Sequence, residues 1–487
     1  MSEILLLHTS ETNRSFGGMP PLGLSWIASF IESKGFPADL VDMQISHAGI
    51  DQILQSAKPR IVGLSGTTHT RFEAFELARR IKHHDRQITV LFGGPHATFT
   101  ADDTLRHVDS IDVVVRGEGE YAMLELADCL LHGRNPHSAI RGISYRQNGH
   151  IVHTPSATRI GRLDDLPLPK RVPGDIRRYD LKMDFLDVQG TSIITSRGCP
   201  VGCTFCSASI MFGKTVSYRS ARAVVDEIQM LVHDFGFGGI KIFDSTFTLR
   251  KSHVESICAE MVRRKLIVPW ECEVRVNTVT KDLLRIMRSA GCYYISFGIE
   301  SGSNAVLKKM HKNITTDQAE AVLTWARELG IKSKVFFTFG HIGETMDDAK
   351  QTFRFMESHR RSIDTFGSSV GIRIYPGTAV EGYAKSIGCL SGSFSWSLPY
   401  EERRNEQLGA DPTVPILLGP GMGWDELRAL ERRHILFWMK DLISSMRVLR
   451  DQWRLHHGKK WWGIVKGLVL RGRILRKYGA DVGHEGT

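Results

Sequence analysis

Three cysteines, Cys199, Cys203 and Cys206, stand within the stretch TSRGCPVGCTFCSASIMF, residues 195–212, at the spacing Cys-x3-Cys-x2-Cys. Thiolates are soft ligands suited to iron–sulfur clusters, and three on one short loop can fix three irons of a cubane while leaving the fourth open to a ligand. A zinc site would need a fourth ligand, and no second pair of cysteines or histidines follows nearby. The preceding run TSIIT has the β-branched, apolar character of a buried strand, and Gly198, Pro200 and Gly202 supply the tight loop on which three side chains can converge. The spacing therefore predicts a cluster loop at the carboxyl end of a strand.

Six strand-like runs follow at intervals filled by helical patterns: TSIIT, GGIKIFD, WECEVRV, CYYISFGIE, KVFFTFG and SSVGIRIYP. Repeated strand–helix units predict a parallel barrel, and barrels place their chemistry at the carboxyl ends of the strands. Those ends carry Asp244, Arg275, Asn277, Glu300, Ser301, Gly340, His341, Arg373 and Tyr375. Upstream, the runs EILLLH, ADLVDM, IVGLSG, ITVLFGG and IDVVVRGEGE alternate with helical patterns, which predicts a second parallel sheet covered on both faces. Its strand ends carry Gly63, Gly66, Gly93, Gly94, Gly117 and Gly119, positions where backbone can approach a bulky ligand. Between the two, ISYRQNGHIVH reads as a hairpin around Asn148 and Gly149, and GRLDDLPLPKRVPGD as a proline-rich connector.

The cysteine loop, with Phe205 just before its last cysteine, resembles the signature of radical S-adenosylmethionine (SAM) enzymes. PPLGLSWIASFIESKGF, VGLSGTTHT, FGGPHATF and VVRGEGE resemble the cobalamin-binding domain that precedes the barrel in one large class of those enzymes. The fold expected is α/β: a doubly wound, Rossmann-like cobalamin-binding domain over 1–135, a linker over 136–190, a partial (β/α)6 radical SAM barrel over 191–390, and a helical C-terminal region over 391–487. The resemblance implies a [4Fe-4S] cluster on Cys199, Cys203 and Cys206, with SAM contacts from Phe205, Arg275, Glu300 and Ser301. It further implies that Ser65, Thr67 and Thr68 face cobalamin and that Gly93, Gly94, Gly117, Glu118 and Gly119 line its nucleotide tail. The Asp-x-His-x-x-Gly motif that gives cobalt a histidine in cobalamin-dependent mutases is missing. His69 and His96 lie near the expected site, but a lone histidine at a strand end is more often a structural residue.

The resemblance implies an enzyme that methylates an unactivated carbon by way of a 5′-deoxyadenosyl radical and methylcobalamin. An enzyme of the same architecture that forms or contracts a ring, or oxidises a carbon, stays open, as in the anaerobic tetrapyrrole cyclases. A cobalamin sensor would leave the cysteine loop unexplained, and a methylthiotransferase would carry further cluster cysteines in the first domain, where none precedes Cys129. A small-molecule or lipid-like substrate and an external one-electron donor of flavodoxin or ferredoxin type are the expected partners.

Composition is that of an ordinary soluble protein, with eight cysteines of which five are scattered among apolar stretches; a reducing cytoplasm suits them better than a disulfide framework. The opening MSEILLLHTS is too short and too acidic for a signal segment. Net charge is +10, and between Arg447 and Lys477 ten Lys or Arg stand against Asp451 alone. The rest of the chain is nearly neutral, which argues against nucleic acid as a partner. The basic tail, with Trp453, Trp461 and Trp462, has the composition of a helix lying on an anionic membrane surface, and equally that of a solvated charged helix.

Overall fold

The computed structural model describes residues 2–9, 18–132 and 137–444; the basic tail lies outside them. The first sheet has seven strands in the order β2-β1-β3-β4-β5-β6-β7. These are β1 (Ile4–His8), β2 (Ala38–Asp42), β3 (Ile61–Ser65), β4 (Thr89–Gly93), β5 (Val113–Val115), β6 (Ile143–Gln147) and β7 (His150–His153). The first five are parallel, and β1, β3, β4 and β5 are apolar on both faces because helices cover both, whereas the edge strand β2 exposes Asp39. Along β1, Ile4 and Leu6 join the core with helices Leu22–Ser33 and Glu120–Leu131, whereas Leu5 and Leu7 join that with helices Ile50–Ala57, Arg71–His84 and Pro95–His107. The hairpin expected in the linker does form, with Asn148 and Gly149 both at positive φ (50° and 78°). It is part of the first sheet rather than of a connector, because β6 pairs antiparallel with β5 and covers that edge.

The second sheet holds β8 (Gly190–Ile193), β11 (Gly239–Ile242), β12 (Trp270–Val274), β13 (Cys292–Glu300), β14 (Lys332–Phe339) and β15 (Thr365–Val370), all parallel in that order. β9 (Ser196–Arg197) and β10 (Ser217–Tyr218) make a small antiparallel pair beside the cysteine loop. β8 and β15 are the unpaired ends, so the barrel is partial. Alternation sorts its side chains: Trp270, Cys272 and Val274 face the surrounding helices, and the intervening Glu271 and Glu273 face the other way. Several barrel helices start on capping hydroxyls, Ser220, Thr280 and Thr378 among them, with reciprocal capping boxes at Thr315–Gln318 and Thr345–Asp348.

One expectation is corrected beyond the barrel. The sixth strand ends at Val370, where Gly371 (φ +80°) turns the chain, so Arg373 and Tyr375 stand in the segment that follows. The helix Trp424–Ser444 packs beside β15: Phe437 meets Phe366 of that strand and Phe353 of the helix Met346–Ser358.

Candidate functional site

β8 delivers the chain to the cysteine loop, and Asp244, at the end of β11, holds it there. The Asp244 carboxylate accepts the amide and hydroxyl of Thr195, both at 2.6 Å, and the amide and hydroxyl of Ser196 at 3.2 and 2.7 Å. Thr195 Oγ1 also meets His253 Nε2 at 3.0 Å. The loop then turns at Gly198 (φ +113°), where any Cβ would lie 2.6 Å from the Thr215 carbonyl, so only glycine serves. All three cysteines are free and half-buried. Burial pushes the Cys206 thiol up, and the neighbouring Cys203 and Cys199 add to that. Among the described residues no three His, Cys, Asp or Glu side chains converge closely enough for a single metal ion. Three thiolates that each take a separate iron of a cubane need no such convergence.

Around the loop stand several residues expected to contact SAM. Phe205 lies edge-on to His341, ring centroids 5.5 Å apart, with the Lys312 amine 5.7 Å from its centroid. Lys312 pairs with Glu300 at 2.8 Å, and Glu300 itself takes a positive φ of 73° at the end of β13. Arg275 reaches Cys203 Sγ at 3.6 Å and donates to the Lys312 carbonyl. Ser301 differs. The turn at Glu300 sends it behind the strand end, fully buried, where its hydroxyl meets Thr352 Oγ1 and the Ser303 amide, each at 3.1 Å.

A cavity of about 440 Å³ lies between the carboxyl edge of the first sheet and the cysteine loop. Its floor is β1, β3, β4 and β5; Leu22, Ile27 and Met123 from the covering helices form one wall, and Ile194, Met211, Phe212 and Phe243 from the barrel form the other. Ser65, Thr67, Gly93, Gly94, Gly117 and Gly119 line it, but Thr68 does not: its hydroxyl points inward to His96 Nδ1 at 3.1 Å. Gly94 sits at φ +101°, with space for a Cβ closed by the Gly66 carbonyl at 3.0 Å, and a Cβ on Gly119 would meet Ile27 at 2.9 Å. This mostly apolar slot with a side-chain-free rim suits a corrinoid and its tail. Glu118 borders the slot, but its carboxylate is taken up by the protein: Arg197 at 3.1 Å, Arg159 at 3.2 Å and the Ile160 amide at 3.0 Å.

Both histidines near the slot are engaged. His69 meets Asp411 at 2.7 Å through Nδ1 and Tyr375 at 3.0 Å through Nε2. Burial, with the charge of Arg71, holds His96 neutral between Phe92 and Trp396. Arg71, which the sequence reading passed over, is fully buried and donates to the carbonyls of Trp396 (2.9 Å), Thr413 (2.6 Å) and Thr68. Burial lowers its pKa to about 10. The segment after the barrel is thereby tied to the first domain.

Residues 13–127 match the B12 binding domain and residues 193–356 the Radical SAM superfamily. Fold and site together define a radical SAM enzyme with a cobalamin domain, whose cofactors are a [4Fe-4S] cluster, SAM and cobalamin. An uncharacterized methyltransferase of Pyrococcus horikoshii is 33% identical over 372 residues, 75% of this chain and 78% of that protein; the chain belongs to this cobalamin-dependent radical SAM family. An anaerobic magnesium-protoporphyrin IX monomethyl ester cyclase of Rubrivivax gelatinosus is 29% identical over 69% of this chain and 62% of its own length. The fold is shared with the cobalamin-dependent SAM radical enzyme OxsB, with a TM-score of 0.73 at 18% identity over 97% of this chain and 71% of that one. Among the described residues no helix is long and apolar enough to cross a membrane.

Proposed function

We propose that the protein is a C-methyltransferase acting on an unactivated carbon of a small molecule with an apolar skeleton. The observation that carries this reading is a cavity walled on one side by the glycine-rich edge and on the other by Met211 and Phe212 of the cysteine loop. The cluster with SAM supplies a hydrogen-abstracting radical, and cobalamin supplies the methyl group. In this reading Cys199, Cys203 and Cys206 hold the cluster, Arg275 takes the methionine carboxylate of SAM, and Glu300, paired with Lys312, takes the ribose hydroxyls. Phe205 packs beside them. Ile194, Met211, Phe212 and Phe243 exclude water and hold the apolar body of the substrate, since the neighbouring charges of Arg197, Glu118 and Glu120 are already paired with one another. Reduction of the cluster calls for an external one-electron donor.

The test is anaerobic incubation with SAM, cobalamin, a chemical reductant and fractionated cell extract, scoring S-adenosylhomocysteine and 5′-deoxyadenosine together. Equal amounts of both, with a product heavier by one methylene, are expected. The cyclase relative favours a second reading, ring formation or oxidation without methyl transfer; deoxyadenosine with no S-adenosylhomocysteine would replace the first reading by that one.

A further inference from the structure

Arg197 stands two residues before Cys199 on the strand that enters the cysteine loop, and its side chain leaves the barrel for the first domain. Its guanidinium reaches Glu118 at 3.1 Å through Nη1 and Glu120 at 2.7 Å through Nη2. The planar fork also lies over the Trp26 ring, 4.7 Å from its centroid. All four residues are almost fully buried: Arg197 is 8% exposed, Glu118 7%, Glu120 2% and Trp26 3%. Glu118 and Glu120 flank Gly119 on the rim of the slot, and Trp26 belongs to the helix that forms its wall. The same Glu118 carboxylate takes the Ile160 amide from the connector, and Arg159 beside it. One buried cation is therefore bonded to the rim of the corrinoid slot and covalently continuous with the cysteine loop.

We propose that Arg197 is a positioning residue that fixes the distance between the cluster and cobalamin by clamping the cysteine loop to the Glu118–Glu120 turn. A guanidinium with two carboxylates in its fork and a ring beneath its plane is held in position and in orientation. A lysine keeps the charge but has no fork with which to span both carboxylates. A reaction that passes between two cofactors loses rate steeply when they are misplaced, by about 10²-fold for 1 Å, which is why a rigid link belongs here. The inference rests on the cluster and cobalamin reading above, and the experiment separates the two.

The full-length protein, loaded with cluster and cob(II)alamin and reduced by dithionite, is examined by electron paramagnetic resonance for the dipolar splitting between Co(II) and the reduced cluster. Wild type should give one resolved splitting. Arg197→Lys and Glu120→Gln should keep wild-type iron, sulfide and cobalamin content but lose that single splitting to a broadened envelope. A wild type that binds no cluster or no cobalamin overturns the underlying reading. Variants that load fully and keep the wild-type splitting overturn the clamp alone. So do variants that no longer bind one of the two groups, since Arg197 is then part of a binding site rather than a spacer.

Discussion

Replacing Glu344 by glutamine should remove a loss of stability that the wild type suffers as pH rises through neutrality. Glu344 follows the end of β14 and is 1% exposed. Its Oε2 accepts the amides of Gly340 at 2.7 Å and His341 at 2.9 Å, and its Oε1 is buried without a partner. Burial raises the carboxyl pKa and outweighs the two amides that lower it, leaving it at about 7 against an ordinary 4.5. The folded protein thus keeps a proton that the unfolded chain releases near pH 4.5. The associated stability is fully present below that pH and is lost as pH rises through about 7. At about 1.4 kcal/mol per pH unit over this interval the loss approaches about 3 kcal/mol, a large share of the roughly 5–15 kcal/mol that holds a domain folded. Glutamine offers the same carbonyl to the two amides and has no proton to release. Guanidinium unfolding of both proteins at about pH 5, 6, 7 and 8 reads the effect. The difference, variant minus wild type, should climb by about 2.5 kcal/mol across that range, on top of any constant cost of burying the amide hydrogens. Parallel pH profiles would refute the reasoning.

Alanine at any one of Cys199, Cys203 or Cys206 should abolish both the brown absorption of reconstituted protein and the release of deoxyadenosine from SAM; Cys272→Ala or Cys292→Ala, buried on the helix-facing side of the barrel, should keep both. Gly119→Leu should force a side chain against Ile27 and weaken cobalamin binding in equilibrium dialysis by tenfold or more, which is about 1.4 kcal/mol, with iron content unchanged. The Co(II) resonance of the cobalamin-loaded protein should show no nitrogen splitting from a histidine and should not change with His69→Ala, because both ring nitrogens of His69 are already bonded to Asp411 and Tyr375; a splitting that this variant removes would be the contrary result.

The cysteine loop and both sheets were legible because their signals are local: a spacing of seven residues, alternation along strands, glycines at turns. The hairpin was legible for the same reason, but not its place, since nothing in ISYRQNGHIVH says that it will pair with β5. Ser301 and Glu118 show a different limit. Each stands where the family pattern puts it, yet Ser301 is turned behind the strand by the conformation of Glu300, and Glu118 is taken up by Arg197. Contacts between residues 79 apart, as for Arg197 and Glu118, or 325 apart, as for Arg71 and Trp396, leave no periodic trace in a sequence.

The long reach of Arg71 also sets an order of events during synthesis. Two of the three carbonyls that satisfy this buried cation belong to Trp396 and Thr413, and the first of them is made 325 residues after it. At roughly 5–20 residues per second a ribosome takes about 16–65 s to cover that interval. Throughout it the nascent first domain must leave the guanidinium of Arg71 to water, with Thr68 as its one local carbonyl. The domain that emerges first is therefore finished last, and a nascent chain stalled before Thr413 exposes the corrinoid-binding half in an incomplete form to chaperones and proteases.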